Sequence, residues 1–290
     1  MRINAGLIFS LLIFNISHCF GQNDSALTVK ISAGKFSNAV SVTSDGKGFL
    51  YVLDSDNSEI IKYSSELKEI KRAGKKGWNN GEFFSPTHID ASNGTNIFVS
   101  DKLNSRIQTL DLNLGFISAL LTDSENIDDK FKIRKPVCSI PINSLDLLVV
   151  DSDNPKVVLF SGTLTPVFYF GSYQSVSGAL ANPIKTVKDS KNNVYIFDKQ
   201  KNSVLRYDNF GTFISEFSYE DIISIAEFSN MIYLLTKSGI ITYDVNKNAY
   251  QKIIRLPADL NTKNLSDITV SASENIYILE KNKIHLLKLN

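Results

Sequence analysis

Short apolar runs that close on an acid recur along the chain: Leu50-Tyr51-Val52-Leu53-Asp54, Ile97-Phe98-Val99-Ser100-Asp101, Leu147-Leu148-Val149-Val150-Asp151 and Val194-Tyr195-Ile196-Phe197-Asp198. Two altered copies follow, Ile232–Thr236 and Ile276–Glu280. The closing positions stand 47, 50, 47, 38 and 44 residues apart. After each run comes a polar turn and a second apolar stretch, as in Glu59–Tyr63, Arg106–Leu110, Lys156–Phe160 and Val204–Tyr207. Enrichment in aromatic and β-branched residues, with alternation of period two, predicts strands. Asp45-Gly46-Lys47-Gly48, Ser92-Asn93-Gly94-Thr95 and Asp189–Asn193 supply residues that tolerate the positive φ of tight turns. No stretch after residue 21 carries a sustained helical period, so the expected class is all-β.

A repeat of this length is the size of a four-stranded propeller blade. Pro86, Pro136 and Pro183 each precede the closing aspartate by 15 residues. Proline suits the first residue of a strand, where its missing N–H costs little. The last copy reaches Asn290 without a fourth strand, and Leu27–Ile31 is a strand without a repeat of its own. The expectation is therefore a six-bladed β-propeller of four-stranded antiparallel blades. Its ring would be closed by the N-terminal strand pairing with the last blade, leaving no open edge there. Residues 22–290 would form one domain.

A proline, fifteen residues, an acid closing an apolar strand and then a turn carrying Asn resembles the NHL repeat. Asp101-Lys102-Leu103-Asn104-Ser105-Arg106-Ile107 matches its turn best, and Asp198–Val204 is similar but lacks the arginine. The resemblance implies a six-bladed propeller. It implies little about activity, because that fold hosts lyases, lactonase-like enzymes, RNA binders and interaction scaffolds.

Residues 1–21 read as a secretory signal: Arg2, the apolar core Leu7–Phe14, and Cys19-Phe20-Gly21 with cleavage after Gly21. A lipoprotein signal with Cys19 as the lipidated residue is the alternative, weakened by His18 where a small residue is wanted. The expected location is outside the cytoplasm: periplasmic, secreted or attached to the cell envelope. The whole chain has 31 Lys and Arg against 30 Asp and Glu. Loss of residues 1–21 removes Arg2 alone and leaves no net charge, which argues against a nucleic-acid partner. It also leaves Cys138 as the one cysteine, expected to be buried. No later stretch is long and apolar enough to span a bilayer. Asn23, Asn93 and Asn264 lie in glycosylation sequons.

The candidate chemistry is sparse. The recurring Asp54, Asp101, Asp151 and Asp198 are expected to accept hydrogen bonds in the turns that follow them. The residue two past each proline is His88, Cys138 or Lys185, and the same offset in the last copy gives Asp267. With Asp90, these predict a polar ring along the channel, where a His–carboxylate pair could move a proton or hold a divalent ion. His285 is placed on a third strand, away from the channel. Lys68, Lys71, Arg72, Lys75 and Lys76 cluster before Trp78, and Lys75, Lys76 and Trp78 are the loop candidates for a protein or acidic glycan. The acidic connection Thr122–Lys135 lacks the spacing of a calcium loop. No phosphate loop, cysteine pair or serine nucleophile elbow is present. The expected function is a monomeric exported scaffold that binds protein or glycan, with no catalytic constellation and no cofactor. The alternative is a metal-dependent hydrolase or lyase sited on the channel axis.

Overall fold

A computed structural model describes residues 25–143 and 146–289. The signal segment with Cys19, and Asn23, lie outside these residues. After β1 (Ser25–Ala33), four sheets follow in chain order. The first is β2–β5 (Ala39–Ser44, Leu50–Asp54, Glu59–Tyr63, Glu69–Ala73) and the second β6–β9 (Pro86–Asp90, Asn96–Asp101, Arg106–Asp111, Phe116–Leu121). The third is β10–β13 (Pro136–Pro141, Leu147–Asp151, Lys156–Phe160, Pro166–Phe170) and the fourth β14–β17 (Pro183–Lys188, Val194–Asp198, Ser203–Tyr207, Phe213–Ser218). Each is antiparallel in simple up-and-down order.

The remaining strands form one eight-stranded sheet. β18–β21 (Ile222–Phe228, Met231–Thr236, Gly239–Asp244, Ala249–Arg255) meet β1, which meets β24, β23 and β22 (Lys283–Leu289, Ile276–Glu280, Leu265–Val270). The chain is thus an all-β propeller of four-stranded antiparallel sheets, but the expected six separate blades are seen as four sheets and one wider one. The cause is β1. It runs antiparallel to β24 from Leu27–Leu289 to Ala33–Ile284, and its first two residues also pair in parallel with Ile254 and Arg255 of β21.

In four of the six repeats the second strand is buried on both faces. Leu50–Asp54, Leu147–Asp151, Val194–Asp198 and Ile276–Glu280 have every residue buried. That explains their near-continuous apolar sequences, because each lies between neighbouring sheets. Burying one such aliphatic side chain stabilises the fold by roughly 1.5–3 kcal/mol. Outermost strands face water: Glu69–Ala73 is mostly exposed and Phe213–Ser218 alternates. Tyr51 and Tyr195 are buried whole, and each hydroxyl donates to an aspartate six residues earlier, Asp45 or Asp189, at 3.0 Å. Those aspartates also accept backbone N–H groups within their own hairpins, which fixes the turns.

The first strands β2, β6, β10, β14, β18 and β22 pack side by side around the axis, and β22 returns to β2. All six carry the same irregularity: the pairing register slips between the first and third residue, as at Pro86/His88 and Leu265/Asp267. A bulge of this kind re-aims the side chain that follows it.

Candidate functional site

The bulge sets one residue of each first strand at an equivalent position: Ser41, His88, Cys138, Lys185, Ser224 and Asp267. All are buried. The sequence offset, counted from proline for His88, Cys138 and Lys185 and carried to the last copy for Asp267, identified four of them. It missed Ser41 and Ser224, whose strands begin with Ala39 and Ile222.

Asp267 is the hub of this layer. Its carboxylate accepts from the Lys185 ammonium at 2.7 Å, the Ser224 hydroxyl at 2.5 Å and the Val42 backbone N–H at 2.8 Å. One buried side chain therefore ties β22 to β14, β18 and β2. His88 is 2 % exposed and its Nδ1 has no hydrogen-bond partner. Burial and the nearby Lys185 charge hold its imidazole well below the usual range, against a hydrogen bond to the Ser139 backbone, so the ring is neutral at pH 7. Burial pushes the Cys138 thiol up to about 12. It is an inert core group, packed with Val150, Val157 and Ile196.

Toward the turns that join first and second strands, the channel widens into a cavity of about 360 Å³. His88 and Lys185 form its inner end, with Thr43, Asp90, Ile140, Val187, Ala226 and Thr269 as the wall. Asp90 does not bond His88. Its Oδ1 accepts from the backbone and hydroxyl of Ser92, and burial raises its carboxyl above the usual range. At the rim, Lys188 donates to the Ile142 carbonyl at 3.0 Å and to Asn192 Oδ1 at 3.1 Å. Burial pushes the Glu227 carboxyl up to about 7, although the Asn230 N–H bonds its Oε1 at 2.8 Å. Lys188 and Glu227 were not singled out in the sequence. Nothing local marks them, since they meet only where β14 and β18 pack side by side.

The loop candidates sit on the connection from β5 to β6. Arg106, paired with buried Asp101 at 2.8 Å, donates to the carbonyls of Trp78, Asn79 and Glu82 at 2.8, 3.1 and 2.8 Å. Gln108 and Asn104 add bonds to Glu82 and Gly77. On this fixed backbone Trp78 is 72 % exposed. Lys75 pairs with Glu82 at 3.1 Å, and the Lys76 ammonium lies 4.9 Å from the centre of the Phe84 ring.

The recurring aspartates bind backward as well as forward. Asp54, Asp101, Asp151 and Asp198 each accept a backbone N–H from sixteen or seventeen residues upstream, at Ser37 and Asn38, Phe84, Arg134 and Lys135, and Ala181 and Asn182. They staple the segment entering each first strand to the end of the second. In the acidic connection, Asp128 and Asp129 pair with Lys130 and Lys132. His285 bonds Ser32 at 2.8 Å, on the β1–β24 pair.

Among the described residues no three His, Cys, Asp or Glu side chains are grouped to hold a metal ion, and no helix is long and apolar enough to cross a membrane. No family model and no curated protein matches the sequence. Solved structures do. A gluconolactonase from Xanthomonas campestris superposes with a TM-score of 0.67 at 9% identity, covering 93% of this chain and 96% of that one. A streptogramin B lyase gives 0.61 at 14%, covering 92% and 98%. The WD40 propeller domain of Doa1 gives 0.62 at 9%, covering 91% and 97%. At such identities the likeness is one of fold, and enzymes and a WD40 domain share it: the chain is a β-propeller.

Proposed function

We propose that this protein is an exported, monomeric, NHL-like propeller of six blades that binds a protein partner through the Lys75–Glu82 loop. The observation that carries the reading is Trp78, an exposed indole on a backbone fixed by Arg106. A large aromatic side chain already held in place loses little conformational entropy on binding, which is the character of an interface anchor. Lys75 and Lys76 beside it favour an acidic surface, whether protein or glycan. The pairing of β1 supports the count of six. Six register pairs join it to β24 and two join it to β21, so the eight-stranded sheet reads as two blades in contact. Export rests on the pattern of residues 1–21.

A metal-dependent hydrolase or lyase on the axis has less support. The one carboxylate of the inner layer is engaged by an ammonium, a hydroxyl and an N–H, and the one imidazole stands in the field of Lys185. This donor set does not fit a divalent ion.

The test compares the parent protein with Trp78→Ala and His88→Ala in photo-cross-linking to cell-envelope proteins and on a glycan array. One protein adduct is expected, lost in Trp78→Ala without a change in its melting, and kept in His88→Ala. Adducts indifferent to Trp78 overturn it, and array binding that depends on Trp78 replaces the protein partner with a glycan. One tightly held metal per chain by elemental mass spectrometry would restore the enzyme reading.

A further inference from the structure

The turn between β7 and β8 stands against the Trp78 loop and extends its surface. Leu103, in the short helical turn Lys102–Asn104, donates its N–H to the Phe84 carbonyl at 3.1 Å. The Asn104 side chain donates to the Gly77 carbonyl at 2.9 Å. Trp78 and the half-buried Phe84 meet edge to face, with ring centres 5.9 Å apart. Leu103 is 49 % exposed and Trp78 72 %. Two elements, both held by hydrogen bonds, thus present one apolar patch. The charges around it have one sign in excess. Lys76 lies over the Phe84 ring, and Lys75 pairs with Glu82 at 3.1 Å. The Lys102 charge acts on Asp153, which Lys135 already holds at 2.6 Å. Apart from the buried Asp101–Arg106 pair, the loop and turn carry Lys75, Lys76 and Lys102 against Glu82 alone.

The size of the patch sets the kind of partner. A large aromatic side chain carries about 150–250 Å² of surface, so Trp78 and Leu103 together offer on the order of 300 Å². Each side of a standard interface between folded proteins covers about 800 Å². A short segment covers this patch better than a folded surface does. We infer that Trp78, Phe84 and Leu103 form the docking site of a short acidic peptide segment of a partner protein. One large apolar side chain of that segment sits between Trp78 and Leu103, and its carboxylates answer Lys76 and Lys102. The inference rests on the Trp78 reading above and narrows it to a linear partner, with the β7–β8 turn as a second contact. The acids supply steering and orientation, and the fixed backbone keeps the ordering cost on the peptide side.

Trp78 is the one tryptophan of the chain, so its fluorescence reports on the patch directly. Three synthetic peptides of equal length separate charge from the apolar anchor: an acidic peptide with a central leucine, the same peptide with a central serine, and a lysine-rich peptide with the central leucine. Each is titrated into the purified protein. The acidic leucine peptide is expected to bind saturably, to shift the emission to the blue and to weaken as salt is raised. The serine peptide should bind at least about tenfold more weakly and the lysine-rich peptide not at all. Leu103→Ser should weaken the acidic leucine peptide by about tenfold, and Lys76→Gln with Lys102→Gln should flatten the salt dependence. Equal affinity for the three peptides, no emission shift, or binding indifferent to Leu103 each overturns the inference. Heparin binding more tightly than the peptide, by the same signal, also overturns it, since a sulfated glycan then takes the patch. If no peptide binds while Trp78-dependent protein adducts still form, the linear partner fails and the loop-binding reading stands; loss of both removes that reading as well. The peptide series on the unaltered protein decides the matter even where a variant fails to fold.

Discussion

Removal of the Asp267 carboxylate should be among the most damaging single changes in the molecule. Asp267→Ala leaves the Lys185 ammonium buried without its counter-charge, and strips the Ser224 hydroxyl and the Val42 N–H of their acceptor. Breaking a buried ion pair from one side costs about 3–5 kcal/mol. For a domain of this size that is a fall of roughly 6–20 °C in melting temperature, at about 2–4 °C per kcal/mol. Lys185→Met should cost a similar amount, since it leaves the carboxylate with two neutral donors. The double variant Lys185→Met/Asp267→Leu removes both charges and retains only the orphaned Val42 N–H and Ser224 hydroxyl, worth about 1–3 kcal/mol for the N–H. It should therefore be more stable than either single variant. Urea unfolding followed by tryptophan fluorescence and by circular dichroism gives the four free energies of the cycle. A double variant that loses the sum of the single losses would refute the hub, as would an Asp267→Ala protein within about 0.5 kcal/mol of the parent, the range of an ordinary surface change.

Glu227 makes a pH test with a definite sign. Its folded value of about 7 stands above the ordinary 4.5, so the folded chain holds the proton more tightly. The resulting stability is present below about 4.5 and lost as pH rises through about 7. Glu227→Gln should thus gain on the parent between pH 5 and pH 8 in chemical denaturation, and a pH-independent difference would refute the burial argument. Arg106→Ala should free the Trp78 loop and leave the buried Asp101 without its counter-charge, so trypsin should cut after Lys75 and Lys76 in the native state; resistance equal to the parent's would show that Arg106 does not hold the loop. In a Cys19→Ser background, Cys138 should react with a thiol reagent only on unfolding, since its thiol is fully buried and pushed up to about 12; labelling of the native protein within minutes would contradict its place in the core.

Much of the architecture was legible because the repeat writes the same physics many times. A second strand buried on both faces must be apolar throughout, and it must end where the next turn needs an acceptor. Hence the runs that close on Asp54, Asp101, Asp151 and Asp198 were visible without a structure. The offset from proline found His88, Cys138 and Lys185 because proline marks the residue before the bulge. Ser41 and Ser224 escaped because Ala39 and Ile222 occupy that place without a distinctive residue. The backward reach of the aspartates was hidden for another reason. Its partners are backbone N–H groups, which carry no side-chain signature. The parallel contact of β1 with β21 involves two residues at the end of a strand, too short to leave a pattern. Lys188 and Glu227 lie 39 positions apart in the chain and become neighbours only when β14 and β18 pack side by side around the axis.

The two ends of the ring differ in how completely their polar groups are engaged. At the end where first strands begin, Asp54, Asp101, Asp151 and Asp198 are each bound by several donors, and Arg106 carries the fixing through to the Trp78 loop. Rigid presentation is what such saturation produces. At the turn end, Asp45 and Asp189 are saturated in the same way, but Asp90 and Glu227 are not, and His88 Nδ1 has nothing. An unpaired buried acceptor costs about 1–3 kcal/mol, and a carboxyl held above its ordinary range subtracts stability at neutral pH. Both costs fall on one cavity, while the charged pair directly beneath it, Lys185 with Asp267, is fully matched. Partnerless buried polar atoms are not confined to this end, because Tyr63, Asn104, Arg206 and Ser215 carry others elsewhere in the ring. What separates the two ends is therefore the Arg106 network, which ties the carbonyls of Trp78, Asn79 and Glu82 to the buried Asp101 and so holds the Trp78 loop.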